Sequence, residues 1–200
     1  GNIVLCFEKE MEIGATYSLT YKINSEGKIL VSADYAPTKE GLPLMPKFGM
    51  KMLVNPEMDK VTWYGRGVYE NYPDRKSSEF IGEYSLPLDD FVVNYPAPQE
   101  NGNRCDVRWM TFSDGKLNLR VEGLQPLCFR AWPWMEGDIE KAGHPFELPD
   151  RDFINVNIDL NIHGVGCNDG WGAQTLEKYT IDANKPYSYG FILSCTEEVK

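Results

Sequence analysis

TYSLTYKINSEGKILVSADYA, residues Thr16 to Ala36, decides the fold class. Tyr17, Leu19, Tyr21 and Ile23 alternate with Ser18, Thr20 and Lys22. After the turn-like Ser25-Glu26-Gly27, Ile29, Val31, Ala33 and Tyr35 alternate again. Side chains on a strand point to opposite faces in turn, so period two marks a sheet with one buried face. Two such runs around a short glycine-bearing turn predict an antiparallel hairpin.

The same period recurs outward from this stretch. Val156, Ile158 and Leu160 alternate with Asn155, Asn157, Asp159 and Asn161. Tyr187, Tyr189, Phe191, Leu193 and Cys195 alternate with Ser188, Gly190 and Ser194. Turn signals such as Asn55-Pro56, Tyr72-Pro73, Asp114-Gly115 and Leu148-Pro149 punctuate the chain. Many short strands between such turns predict an all-β, antiparallel, two-layer architecture. One short helix is expected around Glu136 to Ala142, after Trp132-Pro133-Trp134. No repeat or linker interrupts residues 1–200, which read as a single domain. The chain opens Gly-Asn-Ile, without Met, and reads as a piece of a longer protein.

Composition narrows the function classes. The 200 residues carry a net charge of -10, the reverse of the basic stripe that nucleic acid requires. No apolar run approaches membrane length, so neither nucleic acid nor membrane is an expected partner. Cys6, Cys105, Cys128, Cys167 and Cys195 are odd in number and form no CxxC, which argues against a paired-cysteine zinc site. Free, mostly buried thiols are expected, and they lean toward a reducing compartment. Asp159 to Gly164 loosely follows a calcium-loop pattern, but the twelfth position is Gly170 rather than a glutamate. No metal site is assigned.

The stretch that resists the strand reading is GVGCNDGWGA, Gly164 to Ala173. Four glycines surround one large aromatic, Trp171. A ligand platform, a packing anchor and a contact with something outside the chain are all open readings of that pattern.

Three segments carry a family resemblance. They are MPKFGMKM with VTWYGRGVYENYPDR (Met45 to Arg75), PQENGNRCDVRWM (Pro98 to Met110) and HGVGCNDGWGA (His163 to Ala173). In this order and spacing the chain resembles the C-terminal, small-chain domain of the retaining β-galactosidases of glycoside hydrolase family 2. The resemblance covers essentially the whole chain. It implies a supersandwich of two antiparallel sheets, the fold type of galactose mutarotases.

It also implies that the catalytic glutamates lie on a (β/α)₈ barrel outside this chain, since such a barrel takes about 250 residues. No catalytic residue is therefore assigned here. Trp171 stands where the family's tryptophan reaches into the barrel's active site and stacks on sugar. Asp169 matches the second aspartate of the family's GGDDSW-like segment and is expected to hold the loop, with Asn168 and Gly170 as further loop support. Cys167 replaces a glycine of that pattern, Asn168 an aspartate and Gly170 a serine. No cofactor is expected on this chain; Mg or Na would belong to the barrel. The implied partners are a galactoside and the catalytic barrel, in a soluble enzyme of the bacterial cytoplasm or periplasm.

Other residues have plainer readings. Glu70, Asp74 and Arg75 of ENYPDR are expected to brace a turn, with Arg75 forking onto a carboxylate or carbonyls. Arg66, Arg104 and Arg108 invite the same reading. The Trp132–Met135 cluster reads as core or interface. His144 and His163 are the only histidines, and an aldose 1-epimerase would need such an acid–base partner. A stand-alone carbohydrate-binding module or an epimerase-like protein are thus the alternatives. Surface that once faced a barrel should be apolar, near the Trp171 loop and along one edge of the sandwich.

Overall fold

The computed structural model describes residues 1–166, 169 and 171–197. The opening stretch forms the predicted hairpin. β1 (Ile3–Met11), β2 (Ala15–Ile23) and β3 (Ile29–Pro37) run as a meander. Asn24 closes the β2–β3 turn: its Oδ1 accepts hydrogen bonds from the backbone N–H of Glu26 and of Lys28, each 3.0 Å. The side chain thereby replaces backbone partners that a five-residue loop cannot supply.

The remaining strands are β4 (Leu44–Met45), β5 (Lys47–Val54), β6 (Lys60–Arg66), β7 (Ile81–Pro87), β8 (Arg104–Ser113), β9 (Leu117–Trp132), β10 (Ile154–Ile162), β11 (Ile181–Asp182) and β12 (Tyr187–Glu197). The main ladder runs β1-β2-β3-β12-β9-β8-β6-β7, and every pairing is antiparallel. β9 spans 16 residues. Its first half lies between β12 and β8; its second half pairs with β10, which in turn pairs with β5. The two expected layers therefore exist, but they are one hydrogen-bonded sheet folded over through β9.

The fold-over is sealed by aromatics. Phe48 of β5 meets Tyr17, Tyr35, Tyr187 and Tyr189 from the facing strands, with ring centroids 5.5–6.3 Å apart. Tyr189 O–H donates to the Ile158 carbonyl at 3.0 Å and ties β12 to β10. Deeper in the sheet, Trp63 packs on Phe91 and Phe129. Arg104, buried like these rings, lies over Phe91 at 4.2 Å and donates to the carbonyls of Gly102 and Val68. Burial pulls its guanidinium down to about 10, against carboxylates that oppose the shift.

Two expectations are corrected. The helix near Glu136 is present as α2 (Glu136–Lys141), but a second, single-turn helix, α1 (Leu88–Phe91), follows Pro87. One turn is too short to show helical periodicity in sequence. Further, β10 does not wet its polar face: Asn155, Asn157 and Asp159 are all buried. Asn155 Nδ2 donates to the Trp134 carbonyl, and Asn157 Oδ1 accepts from Arg130. The segment entering α2 covers that face. The cation that meets Asn157 stacks on Trp132, 3.3 Å from the ring centroid, while the buried Oδ1 atoms of Asn155 and Asp159 have no hydrogen-bond partner among the described residues.

Both expected apolar surfaces are present. β1 is exposed along its whole length, including Ile3, Val4, Leu5 and Phe7. Leu44, Val165, Trp171 and Leu176 are exposed at the other. No helix among the described residues is long and apolar enough to cross a membrane.

Candidate functional site

The glycine stretch leaves the end of β10, and a carboxylate catches it at once. Asp74, from the ENYPDR turn, accepts from Val165 N–H at 3.1 Å, from Gly166 N–H at 2.6 Å and from the Thr175 hydroxyl at 3.2 Å. Gly164 N–H adds a bond to the Tyr179 carbonyl at 2.8 Å. This approach explains Gly164: a Cβ there would lie 2.7 Å from the Asp74 carboxylate and 3.0 Å from Thr175 Oγ1. Farther along, Asp169 Oδ1 accepts from Trp171 N–H at 2.7 Å and from Ala173 N–H at 3.3 Å. Gly172 takes φ +93°, a conformation that excludes most side chains. Cys167, Asn168 and Gly170 lie outside the described residues.

The stretch is thus held at both ends while its indole faces solvent. Trp171 is 95% exposed. Covering an aromatic of this kind removes about 150–250 Å² from water, worth several kcal/mol at about 25 cal/mol/Å².

The turn that supplies Asp74 is itself anchored. Glu70 accepts from Arg75 and from the Tyr95 hydroxyl through one oxygen, and from Gly102 N–H at 2.8 Å through the other. Tyr72 and Arg75 exchange backbone hydrogen bonds at 3.1 and 2.9 Å. Arg75 therefore meets a carboxylate, as ENYPDR suggests, but through one N–H on one oxygen rather than as a fork. Arg66 does branch, onto Asp106 through Nε and onto the carbonyls of Lys76 and Glu79 through a terminal nitrogen. Arg108 donates to the Asp106 carbonyl. The three motifs are one assembly: Glu70 joins ENYPDR to QENG, and Asp74 joins ENYPDR to the glycine stretch.

Beside it lies a cleft of about 360 Å³, lined by Leu44, Met45, Lys47, Glu100, His163 and Val165 among others. Lys47 Nζ is 3.4 Å from Glu100 Oε2, which also accepts from buried Arg130 at 2.5 Å. His163 is half-buried, its Nδ1 2.7 Å from the Gly164 carbonyl oxygen. Below, burial drives the Asp159 carboxyl up to about 7; Lys47 and Arg130 oppose the shift, while Glu100 and Glu136 add to it. No group of three or more His, Cys, Asp or Glu among the described residues is arranged to hold a metal.

Two roles escape the strand pattern. Asp74 is legible as a turn residue, but not as the clamp on a loop 91 residues later. The convergence of Lys47, Glu100 and Arg130 is also hidden, because β5, the QENG segment and β9 meet only after folding.

A family model described as beta galactosidase small chain matches residues 3–193. A beta-galactosidase of Priestia megaterium is 34% identical over 180 residues, 90% of this chain and 17% of that protein. One from Pseudoalteromonas haloplanktis is 35% identical over 175 residues, 87% of this chain and 16% of that protein. The chain spans about one sixth of the length of these relatives. Among solved structures, a GalM/aldose epimerase homologue from C. elegans superposes with a TM-score of 0.50 at 8% identity, covering 98% of this chain and 66% of that one. That likeness establishes the mutarotase-type fold alone. With the family model matched over nearly its whole length, the chain belongs to the β-galactosidase small-chain family.

Proposed function

We propose that this chain is the C-terminal domain of a β-galactosidase, and that it completes the sugar pocket of a catalytic barrel by lending it Trp171. The observation that carries this reading is the 95% exposed indole on a stretch held by two aspartates. The naming of the relatives as beta-galactosidases supports the substrate class. One face of a galactose ring carries C–H bonds and suits a flat aromatic, while its hydroxyls go to polar groups. The longer enzyme supplies the two carboxylates that cleave the terminal β-D-galactoside.

The test is Trp171→Ala in the full-length enzyme. A loss of tenfold or more in kcat/KM for lactose, with the fold intact, is expected. Unchanged kinetics would remove the proposal, as would galactoside hydrolysis by the 200-residue chain alone. His163 and Glu100 line one cleft, and this favours a second reading as an aldose 1-epimerase or sugar-binding module. Polarimetry on pure α-galactose and a galactose titration separate it; neither turnover nor binding is expected of the isolated chain.

A further inference from the structure

β8 and β9 pair Arg104 with Phe129 and then Val107 with Leu127. Antiparallel counting from the first pair puts Cys105 opposite Cys128. The extra residue, Asp106, takes up the bulge at φ 54°. Residues facing each other across an antiparallel ladder have Cα atoms about 4.5–5.5 Å apart, within the span a disulfide bridges. The two Sγ atoms are 3.5 Å apart, with the Cys128 thiol donating to Cys105. To bond they need to close by about 1.5 Å, a change that side-chain rotation can provide.

The surroundings are built for chemistry at one of the two sulfurs. Asn103 Nδ2 donates to Cys105 Sγ at 3.3 Å, so that sulfur receives two hydrogen bonds while its own thiol faces the Asn71 carbonyl at 3.5 Å. Both cysteines are buried, 2% and 6% exposed, yet both line a cleft of about 300 Å³ that also holds Lys76, Asp106, Lys178 and Tyr179. The Lys76 ammonium in that cleft lies 3.0 and 2.9 Å from the two carboxylate oxygens of Asp106. Cys128 stays a thiol, pushed upward by its hydrogen bond to Cys105 and by burial.

We propose that Cys105 and Cys128 are a redox pair, a dithiol that hydrogen peroxide entering this cleft converts into a cross-strand disulfide. Cys105 Sγ attacks one peroxide oxygen. The O–O bond breaks, that oxygen stays on sulfur as sulfenic acid, and the other leaves as hydroxide and takes the Cys105 thiol proton to become water. Cys128 Sγ then attacks the Cys105 sulfur. The S–O bond breaks and the oxygen leaves as a second water, carrying the Cys128 proton. The two thiols lose two electrons and the peroxide gains them.

The test uses the 200-residue chain with Cys6→Ser, Cys167→Ser and Cys195→Ser, which leaves only the pair. After graded peroxide, the protein is denatured, alkylated and weighed intact. A monomer lighter by two hydrogens that takes up no alkylating reagent is expected, with a Cys105–Cys128 crosslink in the peptide map and a higher melting temperature. Adding Cys105→Ser or Cys128→Ser should abolish the hydrogen loss. The wild-type chain, mapped the same way, gives the answer should the triple variant fail to fold. Two thiols that stay alkylatable at peroxide doses that oxidise Cys6 or Cys195 in the wild type would overturn the proposal. So would crosslinks that join other cysteines or two chains.

Discussion

The molecule exposes apolar surface in two places, and they are built in opposite ways. β1 offers nine consecutive exposed residues, bonded on one edge to β2 and, among the described residues, to no strand on the other. Its apolar side chains, Ile3, Leu5 and Phe7 on one face and Val4 on the other, are held by little but the ladder. The glycine stretch offers one indole. Its described backbone is bonded at Gly164, Val165 and Gly166 to the Tyr179 carbonyl and Asp74, and at Trp171 and Ala173 to Asp169; Asp74 rests on a turn that Glu70 ties to QENG. A broad, lightly held surface suits another polypeptide, where area matters more than position. A single exposed aromatic on a hydrogen-bonded turn suits a small ligand, because stacking needs the ring placed within fractions of an ångström.

If the glycine stretch is the precise region, its foundations should carry large energies. The largest effect is expected at Asp159, which sits in the strand leading into it. Its carboxyl is pushed up to about 7 by burial, against 3.8 ordinarily. Between those values the unfolded chain ionises while the folded one keeps its proton. The contribution is therefore fully present below about pH 4 and is lost as pH rises toward 7. Over that window the loss reaches about 4 kcal/mol as an upper bound. Asp159→Asn keeps the shape and removes the titration. Its stability relative to wild type should climb from pH 4 to about pH 7 in urea melts and level off above that; a flat difference across this window would break the assignment.

Next in size is Glu70→Ala. It deprives Gly102 N–H, the Tyr95 hydroxyl and Arg75 of one shared acceptor. With the carboxylate mostly buried and Arg75 half exposed, a cost of about 2–3 kcal/mol is expected, mainly from the unsatisfied donors. Gly164→Ala comes third. The added methyl displaces the Asp74 carboxylate, and about 1–2 kcal/mol should be lost. In the full-length enzyme kcat/KM should fall with it. Full activity in Gly164→Ala would show that the clamp does not position Trp171.

How much of this could be read from the chain follows the same division. Alternation along Tyr17–Ile23 and Ile29–Tyr35 is a local signal, and it delivered the antiparallel hairpin. The same rule failed on Asn155, Asn157 and Asp159. Whether a polar face meets water depends on what another segment lays over it, and here α2 and Arg130 do so. The fold-over through β9 was equally hidden, since a 16-residue strand shared between two layers has no local signature. Trp171 was legible as an oddity, an aromatic among glycines, and the family resemblance gave that oddity a role. The Asp74 clamp on Val165, Gly166 and Thr175 was not, because Asp74 and Gly166 lie far apart in sequence and meet only through tertiary structure.

The smallest effects sharpen the contrast most. Trp171→Ala should change the stability of this chain by less than about 0.5 kcal/mol, because an indole exposed to this degree has almost no contacts to lose. Phe7→Ala should cost under about 1 kcal/mol, the worth of its edge contact with Tyr21 at 6.1 Å. The two variants then part company in the full-length enzyme. If β1 meets another part of the protein, Phe7→Ala should lower the melting temperature there more than it does here, with KM unchanged. Trp171→Ala should leave the melting temperature alone and raise KM. Equal shifts in both measurements for both variants would mean that the two exposed surfaces do the same work, and that pinning a glycine stretch confers no positional advantage on the indole it carries.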